Sequence, residues 1–470
     1  MEPATKHPPV THRNTSLDED LRGYLDRNGD ILTRITKPVQ LDDIGALTAQ
    51  SNDPILFENI VERPGYRICD ILVKNRKSQA RSIGVSKEDY LKTLAFRLRQ
   101  PPRGLKHVRT GPVKEVVKLG SDVDLRSLPL PPHSEGGRPM ITAMNIIKDP
   151  ETGFYNSCHA ATQIVGPREG LSVFATPHSV AIMNKYRALG HKRMPIAFVF
   201  GVHPAYEVMA NFSGLHMDCW GELEMVGTIM GRDVEVVPCE TIDLSVPAHA
   251  EIVAEGWVNL EDLHEVGSAT APSMYALPRR DKLPMVEITA LTMRADRPIY
   301  RNHQTVPDTD HQTLPRLCHE AVLYNRLSEM GLDVKDVRFP PWGGALSCLI
   351  QFAYPREGFV NDALMLAMGS PWLNTKMVVA LSPDTNLDDP GDVYHAIASR
   401  CDPARDILIV PGTRGSPYDP AATPIPGQEF WRTVGKAGID ATIKSRHDLK
   451  DFQRAWPKNW GKVHLSDYLG

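Results

Sequence analysis

Hydrophobic positions change their pattern along the chain, and the first change comes near residue 110. Between residues 17 and 110, short apolar runs surround one amphipathic stretch at 86–99, and Ser86 and Asp89 at its start are typical of a helix capping box. Apolar runs bounded by turn residues predict strands. We predict a helical turn at 21–26 and strands at 31–35, 54–60 and 67–73. Together these elements predict a small N-terminal α/β domain.

From residue 111 to 310 the apolar runs are short, numerous and β-rich, and two helical patterns are inserted at 179–189 and 223–230. The predicted strands are 113–118, 140–147, 160–165, 196–202, 234–238, 251–258 and 285–291. Strands this numerous, at spacings longer than a hairpin, favour a split β-barrel.

The last third of the chain begins with an amphipathic helix at 314–330, which we interpret as a connector within 311–332. From 333 to 470 strands and helices alternate, which is typical of a smaller α/β domain. Residues 1–16 are polar and rich in Pro and Thr, and predict a flexible tail. The predicted fold class is therefore mixed α/β (α+β), with an N-terminal domain, a barrel domain, a connecting helix and a C-terminal domain.

The amino-acid composition limits the kinds of partner and the cellular location that we expect for this protein. Acidic and basic residues nearly balance, at 57 against 53, so a nucleic-acid or membrane partner is not expected. Seven scattered cysteines without a C-x-x-C argue against disulfides or a zinc cluster. No apolar run reaches the roughly 18–20 residues of a membrane span, and the N-terminus lacks a signal-peptide core. We therefore expect a cytoplasmic protein.

Longer segments carry a family resemblance that short catalytic motifs do not supply. The order and approximate spacing of these segments are similar to those of the UbiD-like decarboxylases across nearly the whole chain. They are HSEGGRPMITA at 133–143, DPETG at 149–153, AHAEIVAEG at 248–256, PPWGG at 340–344, DPARD at 402–406 and GTRGSPYDP at 412–420.

The resemblance implies a reversible, non-oxidative decarboxylase that uses prenylated FMN supplied by a partner flavin prenyltransferase. Loss of CO2 from an aromatic or heteroaromatic carboxylate, free or as a CoA thioester, leaves an electron pair that no side chain can accept, so a cofactor has to serve as the sink. The resemblance also implies a homodimer or an assembly of dimers, built through a C-terminal dimerisation domain.

The resemblance further implies which residues hold the cofactor. Asn156, His178 and Glu222 match the family's ligands for a divalent cation, usually Mn2+, that binds the flavin phosphate, and K+ is a further implied cation. Thr142 and Gln163 match other cofactor positions, and Lys376 matches a phosphate contact. The structural alternatives are a turn residue for Asn156, a helix cap for His178 and a first-turn acid for Glu222.

The chain departs from the family at the residues that move the proton. Where the family has an Arg and two acids, the alignment places Ala161, Val266 and Ala271, and a one-residue slip gives Glu265 and Thr270 instead of the last two.

Candidate replacements are His159, His264, Glu265 and His303, with His311 nearby. A histidine whose pKa is near neutrality is a suitable proton donor, and a glutamate matches it only when buried. The alternative functions are a non-catalytic or accessory homologue that binds flavin or another phosphorylated ligand, and an FMN oxidoreductase on a split barrel.

Overall fold

The computed structural model describes residues 17–133, 139–174, 176–210, 212, 221–265, 269–270, 273–277, 282–303, 305, 309–370, 375–426 and 428–468. The tail predicted at 1–16 lies outside these residues.

The N-terminal segment is a mixed α/β unit, as the apolar pattern predicts. Its helices are α1 (Leu21–Arg27), α2 (Leu41–Ala49), α3 (Arg76–Ser82) and α4 (Tyr90–Arg97). Its strands are β1 (Thr33–Ile35), β2 (Ile55–Phe57), β3 (Arg67–Asp70) and β4 (Leu105–His107). The Asp89 N–H donates to Ser86 Oγ at 3.2 Å, so the predicted capping contact forms, although α4 begins only at Tyr90.

The middle segment supplies long strands with two longer helices between them. The strands are β5 (Val116–Leu119), β6 (Met140–Lys148), β7 (Tyr155–Ile164), β8 (Glu169–Ser172), β9 (Arg193–Phe200), β10 (Val234–Pro238), β11 (Ser245–Pro247), β12 (Ile252–Glu265), β13 (Ala269–Thr270), β14 (Ala276–Leu277), β15 (Lys282–Met293) and β16 (Ile299–Arg301). The helices are α5 (Pro177–Ala188), α6 (Pro204–Met209) and α7 (Glu222–Met230).

Six of these strands close into an antiparallel barrel, which confirms the predicted barrel. The order is β12-β9-β6-β7-β8-β15, and β15 pairs back onto β12. Alternating residues of β9 point inward, so Ile196, Phe198 and Phe200 lie in one core and Ala197 and Val199 lie in another outside the barrel.

Two sheets cross the boundary predicted at residue 110. In the N-terminal sheet, β16 pairs in parallel with β3, and in a second sheet β4 pairs in parallel with β10. The strand order β1-β2-β3-β16 therefore brings the end of the middle segment, with Arg301, into the N-terminal unit.

The C-terminal segment forms a third layer. After the connecting helix α8 (Leu317–Glu329), its elements are β17 (Val334–Arg338), β18 (Ser347–Phe352), α9 (Phe359–Gly369), β19 (Met377–Leu381), α10 (Pro390–Arg400), β20 (Ile407–Gly415), β21 (Thr423–Ile425) and β22 (Gln428–Ala441). The sheet order is β17-β18-β19-β22-β20. The alternation of strand and helix predicted for this domain is confirmed.

One hydrophobic core joins the three segments. It includes Leu94 of α4, Val199 on the outer face of the barrel, Leu317 of α8 and Ile350 of β18. The candidate residues on the barrel surface therefore lie where the segments meet. Among the described residues, none of the helices combines the length and the apolar character needed to cross a bilayer.

Candidate active site

Three elements bring the predicted metal ligands together. Asn156 is the second residue of β7, His178 the second residue of α5 after Pro177, and Glu222 the first residue of α7. The side chain of Glu222 is 3% exposed and that of His178 16% exposed. The fold therefore converges three distant stretches of sequence on one partly enclosed place.

The Glu222 carboxylate contacts the backbone next to Asn156 and lies near the ring of His178. Its Oε2 accepts the backbone N–H of Ser157, the residue after Asn156, at 3.0 Å, and its Oε1 is 3.8 Å from His178 Nδ1. Two donors that bind one ion at about 2.1 Å are about 3 Å apart when the bonds are at right angles. A small movement of either side chain therefore lets both bind the same ion.

The chemistry of this donor set fits a hard divalent cation. Asn156 is buried, and its amide can offer Oδ1 to a cation. Burial raises the pKa of Glu222, and a nearby dication would favour its ionised form. One nitrogen and two oxygen donors suit Mn2+ or Mg2+.

Two of the structural alternatives find little support. The His178 ring faces Glu222 and lies edge-on to Phe154, with ring centroids 6.1 Å apart, instead of capping α5. Glu222 is buried, whereas an acid placed only for the helix dipole is usually exposed.

One face of β6 and β7 carries the other candidate residues of the barrel. The strand register pairs Thr142 with Ala161, Met140 with Gln163 and Met144 with His159, so these side chains share a face. Thr142 Oγ1 and Gln163 Oε1 are buried and have no hydrogen-bond partner among the described residues. This polar pair is what a polar cofactor edge requires.

The position where the family resemblance implies an Arg is apolar. Ala161 packs against a small cluster formed by Leu171, Val173 and Leu283. Val266 and Ala271, aligned with the two acids, lie outside the described residues.

His159 and His303 meet on the outer face of the barrel. Their ring centroids are 4.5 Å apart at an angle of 66°. His303 adopts a φ of 41°, an uncommon conformation for a residue with a side chain, and follows β16 by two residues. The chain turn after β16 therefore directs one imidazole onto the other.

A buried cluster of ion pairs, which the sequence did not single out, lies next to the His159 and His303 pair. Arg301 of β16 contacts Glu207 of α6 at 2.7 and 3.0 Å, Asp70 of β3 at 2.6 Å and Asp310 at 2.5 Å. Glu207 Oε1 also lies 3.7 Å from His303 Nε2. Burial raises the pKa of Glu207 to about 7, against the opposing effect of Arg301.

The expectation of a near-neutral histidine is wrong in this arrangement. Burial, with a further contribution from Arg301, lowers the pKa of His159 to about 3 and places that of His303 well below its usual value. Burial likewise lowers the pKa of His133 to about 3 and of His311 to about 4. These imidazoles are therefore neutral near pH 7, and Glu207 is the acid beside His303 whose pKa is raised by burial.

His264 and Glu265 lie elsewhere. Both are exposed at the end of β12, and His264 Nε2 contacts Asp262 Oδ1 at 2.7 Å. The role proposed for Glu265 required burial, and the exposed side chain does not meet that condition. The structure brings His159 and His303 together. Among the described contacts, none joins His264 or Glu265 to that histidine pair.

Two cations lie near the C-terminal segment. Lys376 directly precedes β19, and its Nζ is 3.1 Å from Asp419 Oδ2. Arg316, another residue that the sequence did not single out, is 7% exposed, and its Nε has no partner among the described residues. Burial lowers the pKa of Arg316 to about 10. A buried guanidinium without a carboxylate partner is typical of a site that awaits an anion.

Comparison with known families identifies the class. Residues 106–308 match the 3-octaprenyl-4-hydroxybenzoate carboxy-lyase Rift-related domain, and residues 312–441 match the C-terminal domain of the same carboxy-lyases. These matches cover most of the chain, including the barrel, α8 and most of the C-terminal sheet. The chain belongs to the UbiD family and is a carboxy-lyase of that class.

Individual relatives extend over nearly the full length. The anhydromevalonate phosphate decarboxylase of Methanosarcina mazei is 29% identical over 442 residues, 93% of this chain and 98% of that protein. The UbiD-class enzyme HmfF of Pelotomaculum thermopropionicum in complex with FMN is 29% identical, covers 96% of this chain and 100% of its own, and has a TM-score of 0.82. An evolved dimeric form of HmfF in complex with prFMN has the same identity and coverage and a TM-score of 0.80.

Proposed function

We propose that this carboxy-lyase uses prenylated FMN, bound through a divalent cation at Asn156, His178 and Glu222, to decarboxylate an aromatic or heteroaromatic carboxylate reversibly. The observation that carries the proposal is the buried Glu222 carboxylate, which lies beside His178 and on the backbone next to Asn156. The HmfF structures with FMN and prFMN support the same cofactor class.

The described residues have distinct roles in this proposal. The cation, Mn2+ or another dication with K+ as an auxiliary ion, would be held by the three ligands, and Lys376 would leave Asp419 to bind the cofactor phosphate. Thr142 and Gln163 would bind the polar edge of the cofactor. When bound, prenylated FMN supplies the electron sink for decarboxylation.

The proton that replaces CO2 needs another source, because the alignment gives this chain no Arg and acids at the positions where the family has them. Burial raises the pKa of Glu207, His303 lies 3.7 Å from its carboxylate, and His159 lies against His303. We assign Glu207 as the proton source and the two neutral imidazoles as the relay to the barrel face that carries Gln163.

The apolar surroundings of that face support this substrate class. The apolar cluster around Ala161 suits a flat, weakly polar ring. Arg316, a buried cation elsewhere in the fold, would bind a second anionic group, such as a further carboxylate or the phosphate of a CoA thioester. The relative from Methanosarcina acts on anhydromevalonate phosphate, so that compound belongs in any substrate panel.

The test is co-expression of the full chain with a flavin prenyltransferase. Absorbance and mass spectrometry identify the bound flavin, elemental analysis counts the metal, and CO2 release and H/D exchange are measured on aromatic acids, heteroaromatic acids, CoA thioesters and anhydromevalonate phosphate. We expect prenylated FMN, one dication per chain and exchange on at least one ring carboxylate.

Two variants sharpen this test. Glu222→Gln should lose the metal and most of the cofactor, whereas Glu88→Gln, an exposed acid in the N-terminal segment, should retain both. Bound cofactor without exchange on any acid would favour the accessory, non-catalytic function. Exchange on anhydromevalonate phosphate alone would overturn the aromatic substrate class and leave the cofactor site intact.

A further inference from the structure

A cavity lies beside α1 and α3 of the N-terminal unit, and His203 at the N-terminus of α6 completes its wall. Its volume is about 420 Å3, within the range of small-molecule sites. Tyr24 and His203 contribute buried side chains to its wall, and Arg27, Lys77, Arg81 and Lys87 contribute basic side chains.

His203 presents a hydrogen-bond donor that the protein does not use. The residue is 1% exposed, and its Nδ1 accepts the N–H of Ala205 at 3.1 Å. The neutral ring therefore carries its proton on Nε2, which has no acceptor among the described residues. Burial lowers the pKa of His203 to about 3, so the ring stays neutral at physiological pH.

The hydroxyl of Tyr24, next to the His203 imidazole, is the second polar group in the cavity wall that lacks a described partner. Its ring lies edge-on to that of His203, with centroids 5.3 Å apart, and the side chain is 2% exposed. The phenol oxygen has no partner among the described residues. Buried polar groups in folded proteins are nearly always paired, by protein atoms or by ordered water, so a ligand or a water in this cavity could supply the partners of both groups.

The basic side chains in the cavity wall indicate a negatively charged ligand. Arg27 contacts Asp18 at 2.7 Å, Arg81 contacts Asp30 at 2.9 Å, and Lys87 contacts Asp388 of the C-terminal segment at 2.7 Å. Lys77 is exposed and has no ion-pair partner among the described residues. Exposed ion pairs are weak, so these cations can turn to a better anion.

We propose that this cavity binds a small phosphorylated metabolite, with the phosphate at Lys77 and Arg81 and an oxygen of the organic part at Tyr24 and His203. A phosphate accepts several charge-assisted hydrogen bonds at once, which matches a rim of basic side chains better than a single carboxylate does. The volume exceeds what a bare phosphate needs, so the organic part occupies the remainder.

The test uses the full-length, cofactor-loaded protein and isothermal titration calorimetry. Inorganic phosphate and glycerol 3-phosphate are the probes, and glycerol is the uncharged control. We expect one saturable site per chain for glycerol 3-phosphate, weaker binding of phosphate and none of glycerol. Absence of saturable binding for both anions would overturn the proposal.

Variants locate the site. The double variant Lys77→Gln, Arg81→Gln should weaken glycerol 3-phosphate binding at least about tenfold, because two charge-assisted contacts are lost. The control Lys192→Gln, Arg193→Gln changes two exposed cations at the start of β9 and should bind as the parent does. Equal affinity of the parent and the Lys77 and Arg81 double variant would place the anion elsewhere and contradict the proposal.

Tyr24→Phe separates binding from folding. The hydroxyl makes no described hydrogen bond, so its removal should leave the melting temperature of the unliganded protein unchanged or raised. Binding of glycerol 3-phosphate should nevertheless weaken by about three- to tenfold. A lower melting temperature with unchanged affinity would show that the hydroxyl is structural and would overturn its assigned role.

Discussion

At the scale of single residues, the candidate metal ligands could be chosen from the family resemblance, whereas the proposed proton route could not. Asn156, His178 and Glu222 lie in motifs that survive in this chain, and the fold brings Glu222 beside the other two. Glu207 and Arg301 carry no motif, because Arg301 meets Glu207 and Asp70 across 94 and 231 positions of the chain, although its third partner, Asp310, is nine positions away. Such contacts depend on how β3, α6 and β16 meet, which no local pattern contains.

Exchanging single histidines tests which of the sequence candidates moves the proton. His303→Gln should lower H/D exchange on the preferred substrate by about 100-fold while the content of bound flavin stays unchanged, because general acid–base groups contribute about that much. His264→Gln provides the comparison, since His264 is an exposed histidine that contacts Asp262. A larger loss for His264→Gln than for His303→Gln would return the proton role to the end of β12.

At the scale of elements, the apolar pattern predicts five of the six barrel strands, because each buries one apolar face against a shared core, and it misses the short strand β8. It misses α3, whose sequence RKSQARS is polar throughout, although Arg76 is buried against Glu320 at 2.6 Å. It also misses β22, where glycines and charged residues interrupt the apolar alternation. Buried polar contacts stabilise α3, and pairing with β19, β20 and β21 stabilises β22.

The docking of α7 on β7 depends on Gly221. A β-carbon on this residue would lie 2.3 Å from the carbonyl oxygen of Tyr155, so any larger side chain separates the two elements. Because Glu222 is the next residue, Gly221→Ala should move the carboxylate away from His178 and weaken metal binding by about 10- to 100-fold.

Metal content after dialysis and the loss of bound flavin measure this effect. Gly435→Ala is the matched control, because the added β-carbon on that exposed residue of β22 meets no atom within 4 Å. Full retention of metal by the Gly221→Ala protein would show that α7 tolerates the displacement and that Glu222 is not held by this contact.

At the scale of the whole molecule, the candidate active site lies at the junction of three segments that share one core. The sequence predicts each segment but not the junction, because β16 leaves the middle segment to complete the N-terminal sheet. That exchange of a strand buries Arg301 together with a group of histidines.

Buried neutral histidines make the stability of the molecule depend on pH. The pKa values of His133, His159 and His203 are lowered to about 3, and that of His311 to about 4. In the unfolded chain these groups titrate near pH 6.5, so below that pH the unfolded state binds more protons than the folded state. The stability that they contribute is present above pH 6.5 and is lost as the pH falls towards 4.

Urea unfolding of the purified chain between pH 7.5 and pH 4.5 measures this loss. Each histidine that stays neutral in the folded state adds about 1.4 kcal/mol per pH unit to the slope of the unfolding free energy. His311→Gln should reduce the slope by about that amount, while His264→Gln, which alters an exposed ring, should leave it nearly unchanged. A free energy of unfolding that stays level between pH 6.5 and pH 5 would mean that these imidazoles accept protons without unfolding, and the cluster would then be open to solvent.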